Sequence, residues 1–135
     1  MTPQEKARQL RPFIIKAAAS LDDKDASEAV ELYDNYPDDG SVLIHNGTRI
    51  NWHGDLYRAA VDLWGSEQND PDHAPTLWEQ IMYRKGIRII PEVITVGLTF
   101  SRGERGWWGY DLYESLYDNN AQNPERWPQG WQLIS

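Results

Sequence analysis

Helical spacing of apolar residues is confined to residues 3–33. Leu10, Phe13, Ile14, Ala17, Ala18 and Leu21 recur at intervals of three and four and form one stripe. Pro12 lies inside that stripe, which predicts a break or a first-turn position there. A second helix is expected after it, with Asp22 or Asp23 as its cap, acidic residues in its first turn, and Ala26, Ala29, Val30 and Tyr33 as its apolar face. The cluster Asn35-Tyr36-Pro37-Asp38-Asp39-Gly40 ends this helical hairpin and marks a boundary. So small a hairpin cannot be stable alone. It has to pack on the rest of the chain or on copies of itself.

Beyond residue 36 the pattern changes to short alternating runs. Ser41 to His45 is apolar enough for a strand, Asn46-Gly47 is a tight-turn pair, and Thr48 to Trp52 alternates. A second turn at His53-Gly54 or Gly54-Asp55 leads into a returning strand, Leu56 to Val61. Gly65 to Pro75 is rich in Gly, Ser, Asn, Asp and Pro and reads as an ordered loop, after which Thr76 to Tyr83 closes the unit as a strand. Arg84-Lys85-Gly86 reads as a hinge, and Ile87 to Phe100 as one or two strands with Pro91 at an edge or bulge. A turn at Gly109-Tyr110, a strand from Asp111 to Tyr117, a polar loop through Asn123 and a closing strand to Ile134 complete the chain.

The second half restates the first. At an offset of 56, Gly47 meets Gly103, Trp52 meets Trp108, and Asp55-Leu56-Tyr57 meets Asp111-Leu112-Tyr113. After three residues are dropped from the second copy, Pro71 meets Pro124, Pro75 meets Pro128, Trp78 meets Trp131 and Ile81 meets Ile134. All seven tryptophans lie inside the two copies. The expected fold is therefore α+β: an N-terminal helical hairpin (1–36) followed by two small antiparallel β-meander modules related by an internal repeat (37–84 and 85–135).

Composition narrows the reading. Each module is near the lower size limit for an independent core. With no cysteine among 135 residues, disulfides and cysteine–zinc sites are excluded. Tryptophan-rich cores and packing of one copy on the other remain as stabilising devices. A net charge of −8 argues against nucleic acid and against an anionic membrane surface, and leaves neutral ligands such as polysaccharide. The first six residues lack the layout of a secretory signal, and the run Ile87 to Phe100, broken by Arg88, Pro91 and Glu92, is too short to span a bilayer.

Aromatic residues are the chief chemical resource. Trp52, Tyr57 and Trp78, with their counterparts Trp108, Tyr113 and Trp131, recur inside alternating strands and are expected to form the core. Burying one such ring contributes on the order of 3 kcal/mol. Trp64, Trp127, Trp107 and Tyr117 do not recur and are the candidate ligand contacts. A flat ring in a polar loop suits a sugar face, with nearby amides and carboxylates bonding the hydroxyls. For Trp64 and Trp127 the competing reading is partial burial between the modules. Asp70-Pro71-Asp72-His73 lacks calcium-loop spacing, and His45, His53 and His73 lack any zinc spacing, so no metal or cofactor is expected. There is no phosphate loop and no nucleophile elbow, and two modules this small offer no deep cleft for a glycosidase acid pair. The chain reads as non-enzymatic.

The run Gly47-Thr48-Arg49-Ile50-Asn51-Trp52-His53-Gly54-Asp55-Leu56-Tyr57-Arg58 resembles the core of the small chitin-binding-type carbohydrate-binding modules of families five and twelve. Pro71, Pro75 and Trp78 resemble that family's proline loop and closing strand, and Gly103, Tyr113, Pro124, Pro128, Gly130 and Trp131 follow the outline more loosely. The stretches Arg11 to Leu21 and Asp25 to Tyr33 are similar to a helical lead-in before paired modules in phage and prophage tail-region proteins. The resemblance implies a three-stranded sheet on buried aromatics, with exposed rings that bind insoluble polysaccharide. The family's exposed tryptophans align near Val61 and Asp62, with Trp64 close by; in the second copy Tyr117 holds that place. On this alignment the core is kept and the sugar platform is lost or changed.

The leading expectation is a non-catalytic, tail- or fibre-associated accessory protein. It would touch cell-surface or other polysaccharide and associate with itself or a larger tail protein through residues 3–33. Its place would be a virion, a prophage particle or the extracellular space. The alternatives are a purely structural assembly protein and an accessory domain of a polysaccharide hydrolase.

Overall fold

A computed structural model describes residues 2–135, which divide into two compact units meeting between Ile81 and Met82. The first unit opens with helix α1 (Pro3–Ser20). Its start is a capping box: the Thr2 hydroxyl accepts from the Glu5 amide at 3.1 Å, and the Glu5 carboxylate accepts from the Thr2 amide at 3.3 Å. The first-turn proline is Pro3, whereas Pro12, expected at a break or in a first turn, lies within an uninterrupted helix. The loss of one mid-helix amide is tolerated because good helix formers, among them Ala17, Ala18 and Ala19, stand beyond it.

The second helix is shorter than its apolar spacing predicts. α2 (Asp23–Glu28) is capped by Asp22, whose carboxylate accepts from the Asp25 amide at 2.8 Å, and gives way to a single 3-10 turn, Val30–Leu32. Tertiary bonds draw the chain back before it can continue. The Tyr33 hydroxyl donates to the Ala18 carbonyl at 2.6 Å, and Arg49 donates to the Leu21 carbonyl at 2.6 Å and to the Tyr33 hydroxyl at 3.1 Å. Arg49 and Arg58 also converge on the Asp23 carboxylate. These ties fasten the helical segment to the first β module, yet Ala18 is the only buried residue of α1.

That module holds two sheets. Strand β1 (Asp39–Ile44) pairs with β4 (Leu63–Ser66), and β2 (Arg49–Trp52), β3 (Asp55–Ala59) and β5 (Trp78–Gln80) form an antiparallel three-stranded sheet in the order β2-β3-β5. The strand at Leu63–Ser66 corrects the reading of Gly65 onward as loop. Pairing with β1 makes it a strand, and Tyr36 secures its end: the Tyr36 hydroxyl donates to the Ser66 carbonyl at 2.6 Å and accepts from the Ser66 amide at 2.9 Å. The closing strand is likewise shorter than expected, since a 3-10 turn, Pro75–Leu77, precedes β5.

The second unit begins with a two-stranded hairpin, β6 (Tyr83–Arg84) and β7 (Ile87–Arg88). Lys85 and Gly86, read as part of a hinge, are its turn, with φ of 52° and 76°. Of Ile89 to Phe100 only single bridges remain, Ile89 to Trp107 and Phe100 to Asn120, where longer strands were expected. The three-stranded sheet then forms from β8 (Arg105–Trp108), β9 (Asp111–Ser115) and β10 (Trp131–Leu133) in the order β10-β9-β8, after a 3-10 turn at Pro128–Gly130. Arg88 braces it, donating to Glu104, Leu98 and Thr99 while its guanidinium lies 3.8 Å from the Phe100 ring centroid.

The repeat holds in three dimensions, bond by bond. Trp52 stands opposite Asp55 and Trp108 opposite Asp111; Trp78 stands opposite Ala59 and Trp131 opposite Ser115. The Gly47 amide bonds the Ala59 carbonyl and the Gly103 amide bonds the Ser115 carbonyl, each at 2.8 Å. The Asn46 amide meets the Asp62 carboxylate at 2.7 Å and the Arg102 amide meets the Asp118 carboxylate at 3.0 Å. The correspondence also reaches upstream of Gly47. The Tyr36 amide bonds the Asn51 carbonyl and the Ile90 amide bonds the Trp107 carbonyl, so Tyr36-Pro37 and Ile90-Pro91 are equivalent lead-ins.

Each unit has its own core. In the first, Tyr36, Ile44, Ile50, Ala59, Leu63 and Trp78 cluster, with Trp52 and Tyr57 half-buried against them. In the second, Ile90, Ile94, Phe100 and Trp131 cluster, with Trp108 and Tyr113 against them. One exchange of volume links the copies. Gly106 replaces Ile50, and a Cβ there would sit 2.6 Å from Ile90 and 2.9 Å from the Phe100 ring. Phe100 stands where the first copy has Ile44, so the larger ring fills the space that the glycine vacates.

Candidate aromatic ligand surface

The four candidate contacts fall in three places. Trp64 lies on β4, opposite Leu43, and is 55% exposed. Tyr117 and Trp127 come together in the second unit, their rings stacked with centroids 5.0 Å apart and planes 29° from parallel. Trp107 lies elsewhere in that unit, half-buried, its indole donating to the Arg84 carbonyl at 3.0 Å. The sequence separates Tyr117 from Trp127 by ten residues. The fold reunites them because Tyr117 follows the end of β9 and Trp127 precedes the 3-10 turn into β10, its neighbour.

Several bonds hold this pair in place. The Trp127 amide bonds the Asn123 carbonyl at 3.0 Å, and Asn123 is itself buried, its side chain donating to Glu92 at 2.8 Å and accepting from the Arg126 amide at 2.8 Å. The Tyr117 carbonyl accepts from the Ser115 hydroxyl at 2.8 Å. Gly130 makes room for the indole: a Cβ at that position would lie 2.3 Å from Trp127 Cε3. Trp127 is half-buried and Tyr117 is 51% exposed, so the tyrosine is the more open ring of the stack. In the first copy the equivalent places hold Val61, Ala74 and Leu77. The stacked pair belongs to the second copy alone.

A second aromatic cluster lies at the other end of β9. The Arg84 guanidinium stands 5.4 Å from the Trp107 ring centroid and 5.0 Å from that of Tyr110, and it donates to the Gly109 carbonyl at 2.8 Å. Tyr110 is 84% exposed. The sequence places Tyr110 in a turn and does not mark it as a candidate contact. The available signal was its lack of a partner in the repeat, since Tyr110 aligns with Gly54.

Charge divides unevenly between the units. Residues 1–81 carry 15 Asp/Glu against seven Lys/Arg, whereas residues 82–135 carry six of each and are formally neutral. In the first unit a groove of about 640 Å³ runs between the helical segment and the β module, lined by Ile15, Leu32, Tyr33, Arg49 and Arg58 among others. None of the four candidate aromatics lines it.

The metal-capable run Asp70 to His73 is a local turn. The buried Asp70 carboxylate accepts from the His73 amide at 2.7 Å and pairs with the His73 ring at 2.9 Å. The bond to Asp70 and its charge raise the His73 pKa; burial alone would raise that of Asp70, but the bonds from His73 outweigh it and hold the carboxyl below its ordinary value. No helix among the described residues is long and apolar enough to cross a membrane. Comparison with known families and with curated proteins finds no match for this chain.

Proposed function

We propose that the chain is a non-catalytic polysaccharide-binding protein whose second module carries the sugar contact. The observation that supports this reading is the stack of exposed Tyr117 on half-buried Trp127, built on a core that folds in the first copy without either ring. A sugar presents a face of C–H groups that an aromatic ring covers, while side chains nearby bond its hydroxyls. Asp118, Asn119 and Glu125 supply such groups beside the stack in sequence. The formal neutrality of residues 82–135 fits an uncharged glycan. The likeness of the helical segment to lead-ins of phage tail-region proteins extends the proposal to a tail- or fibre-associated role at a cell-surface glycan.

Retention on chitin, cellulose and bacterial wall polysaccharide tests the reading. The parent should be held by at least one of these, and Tyr117→Ala and Trp127→Ala should release it. No retention on any of them, or variants that bind like the parent, would remove the sugar claim.

A second reading, structural assembly, draws on α1. Leu10, Phe13, Ile14 and Ile15 are 45%, 70%, 44% and 47% exposed, an apolar stripe that the rest of its unit leaves open. Light scattering separates the two readings. A fixed oligomer that Phe13→Glu dissolves, with no glycan retained, favours assembly alone.

A further inference from the structure

Both aromatic clusters of the second module are additions to a core that does not need them. Trp107, Tyr110, Tyr117 and Trp127 align with Asn51, Gly54, Val61 and Ala74 of the first copy, which makes the same sheet from the same backbone bonds. They gather at the two ends of one strand. Tyr110 immediately precedes β9 and Tyr117 follows it by two residues.

We infer that Tyr110, backed by Arg84 and Trp107, is a second glycan contact, and that the ligand is an extended neutral polysaccharide meeting both ends of β9. The inference rests on the polysaccharide reading above. Three observations carry it. Tyr110 is 84% exposed, yet its ring lies under a guanidinium that is itself anchored to the Gly109 carbonyl and set over the Trp107 ring. An aromatic held in place costs little further ordering when a ligand covers it. β9 is five residues long, so the two clusters are separated by at least about 14 Å of strand. One sugar ring covers one aromatic ring, and a ligand meeting both clusters must therefore be a run of several sugars. Two weak contacts joined by one chain act together, and their combined affinity exceeds that of either by orders of magnitude.

The experiment compares the parent with Tyr110→Ala, Tyr117→Ala and the double variant on whichever of chitin, cellulose and wall polysaccharide retains the parent, and on the trimer hydrolysed from that polymer. With Tyr110→Ala, affinity for the polymer should fall at least tenfold and affinity for the trimer should stay unchanged. Tyr117→Ala should weaken both, the double variant should lose the polymer altogether, and Tyr110→Phe should bind like the parent. Thermal midpoints of the variants check that each remains folded. Polymer binding unaffected by Tyr110→Ala, or polymer and trimer weakened equally, overturns the second contact and leaves the polysaccharide reading standing. A parent that binds none of the polymers overturns both.

Discussion

Trp78 and Trp131 are the same residue twice: each donates its indole N–H at 2.7 Å to a carbonyl nine residues earlier, that of Asn69 for Trp78 and of Gln122 for Trp131. Both are buried, at 7% and 5% exposure, and each meets a second ring edge-on, Tyr36 for Trp78 and Phe100 for Trp131. Each ring thus closes the loop that precedes its own strand onto its own core.

Replacing either tryptophan by phenylalanine keeps most of the apolar area and removes one part-buried indole–carbonyl bond. That loss should cost about 0.5–1.5 kcal/mol in each case. Urea unfolding followed separately in each unit should show Trp78→Phe weakening residues up to Ile81 and Trp131→Phe weakening those from Met82. Equal effects of either variant on both units would contradict two separate cores.

Gly106 has no positive φ to protect, so its reason is space. Gly106→Ala should destabilise the second unit by roughly 1–3 kcal/mol through overpacking against Ile90 and Phe100. Adding Phe100→Ile, the residue type of the first copy, should restore part of the loss. Thermal denaturation of the single and double variants measures it.

Gly130→Ala probes the stacked pair without removing a ring. The new methyl group would collide with Trp127 and push it away from Tyr117. Retention on polysaccharide should fall at least severalfold, with far-ultraviolet circular dichroism unchanged. Retention equal to the parent's would separate the stack from binding.

The Asp70–His73 pair predicts a pH window. The raised His73 pKa contributes stability that is complete below about 6.5 and lost as pH rises through the higher folded value; the lowered Asp70 pKa contributes stability present above about 3.8 and lost as pH falls through the lower folded value. The pair should therefore support the first unit best between those limits. Melting temperatures should decline on the alkaline side in the parent and decline less in His73→Gln. Identical profiles would show that the pair adds nothing.

Much of the fold was legible because glycine, proline and tryptophan punctuate it. Asn46-Gly47, Pro75 and Pro128 stand at turns or at the first residue of 3-10 turns, and Trp78 and Trp131 begin strands, as their chemistry requires. What misled were segments whose outcome depends on a distant partner. Leu63–Ser66 is a strand because it pairs with Asp39–Ile44, and the Tyr36 hydroxyl, some 30 residues away, bonds Ser66 at its end. Lys85-Gly86 reads equally well as a linker until Ile87 pairs back on Arg84.

The sequence by itself determined the tandem repeat, the α+β division and the aromatic content of each copy, because periodicity and turn chemistry are local and recur with the residues that cause them. Only the tertiary structure decided which non-repeated rings share a surface. Tyr117 and Trp127 meet because β9 and β10 are neighbours, Tyr110 joins Trp107 through Arg84, and Trp64 stands apart on β4. Adjacency across a sheet is set by pairing between distant segments, and no spacing along the chain records it.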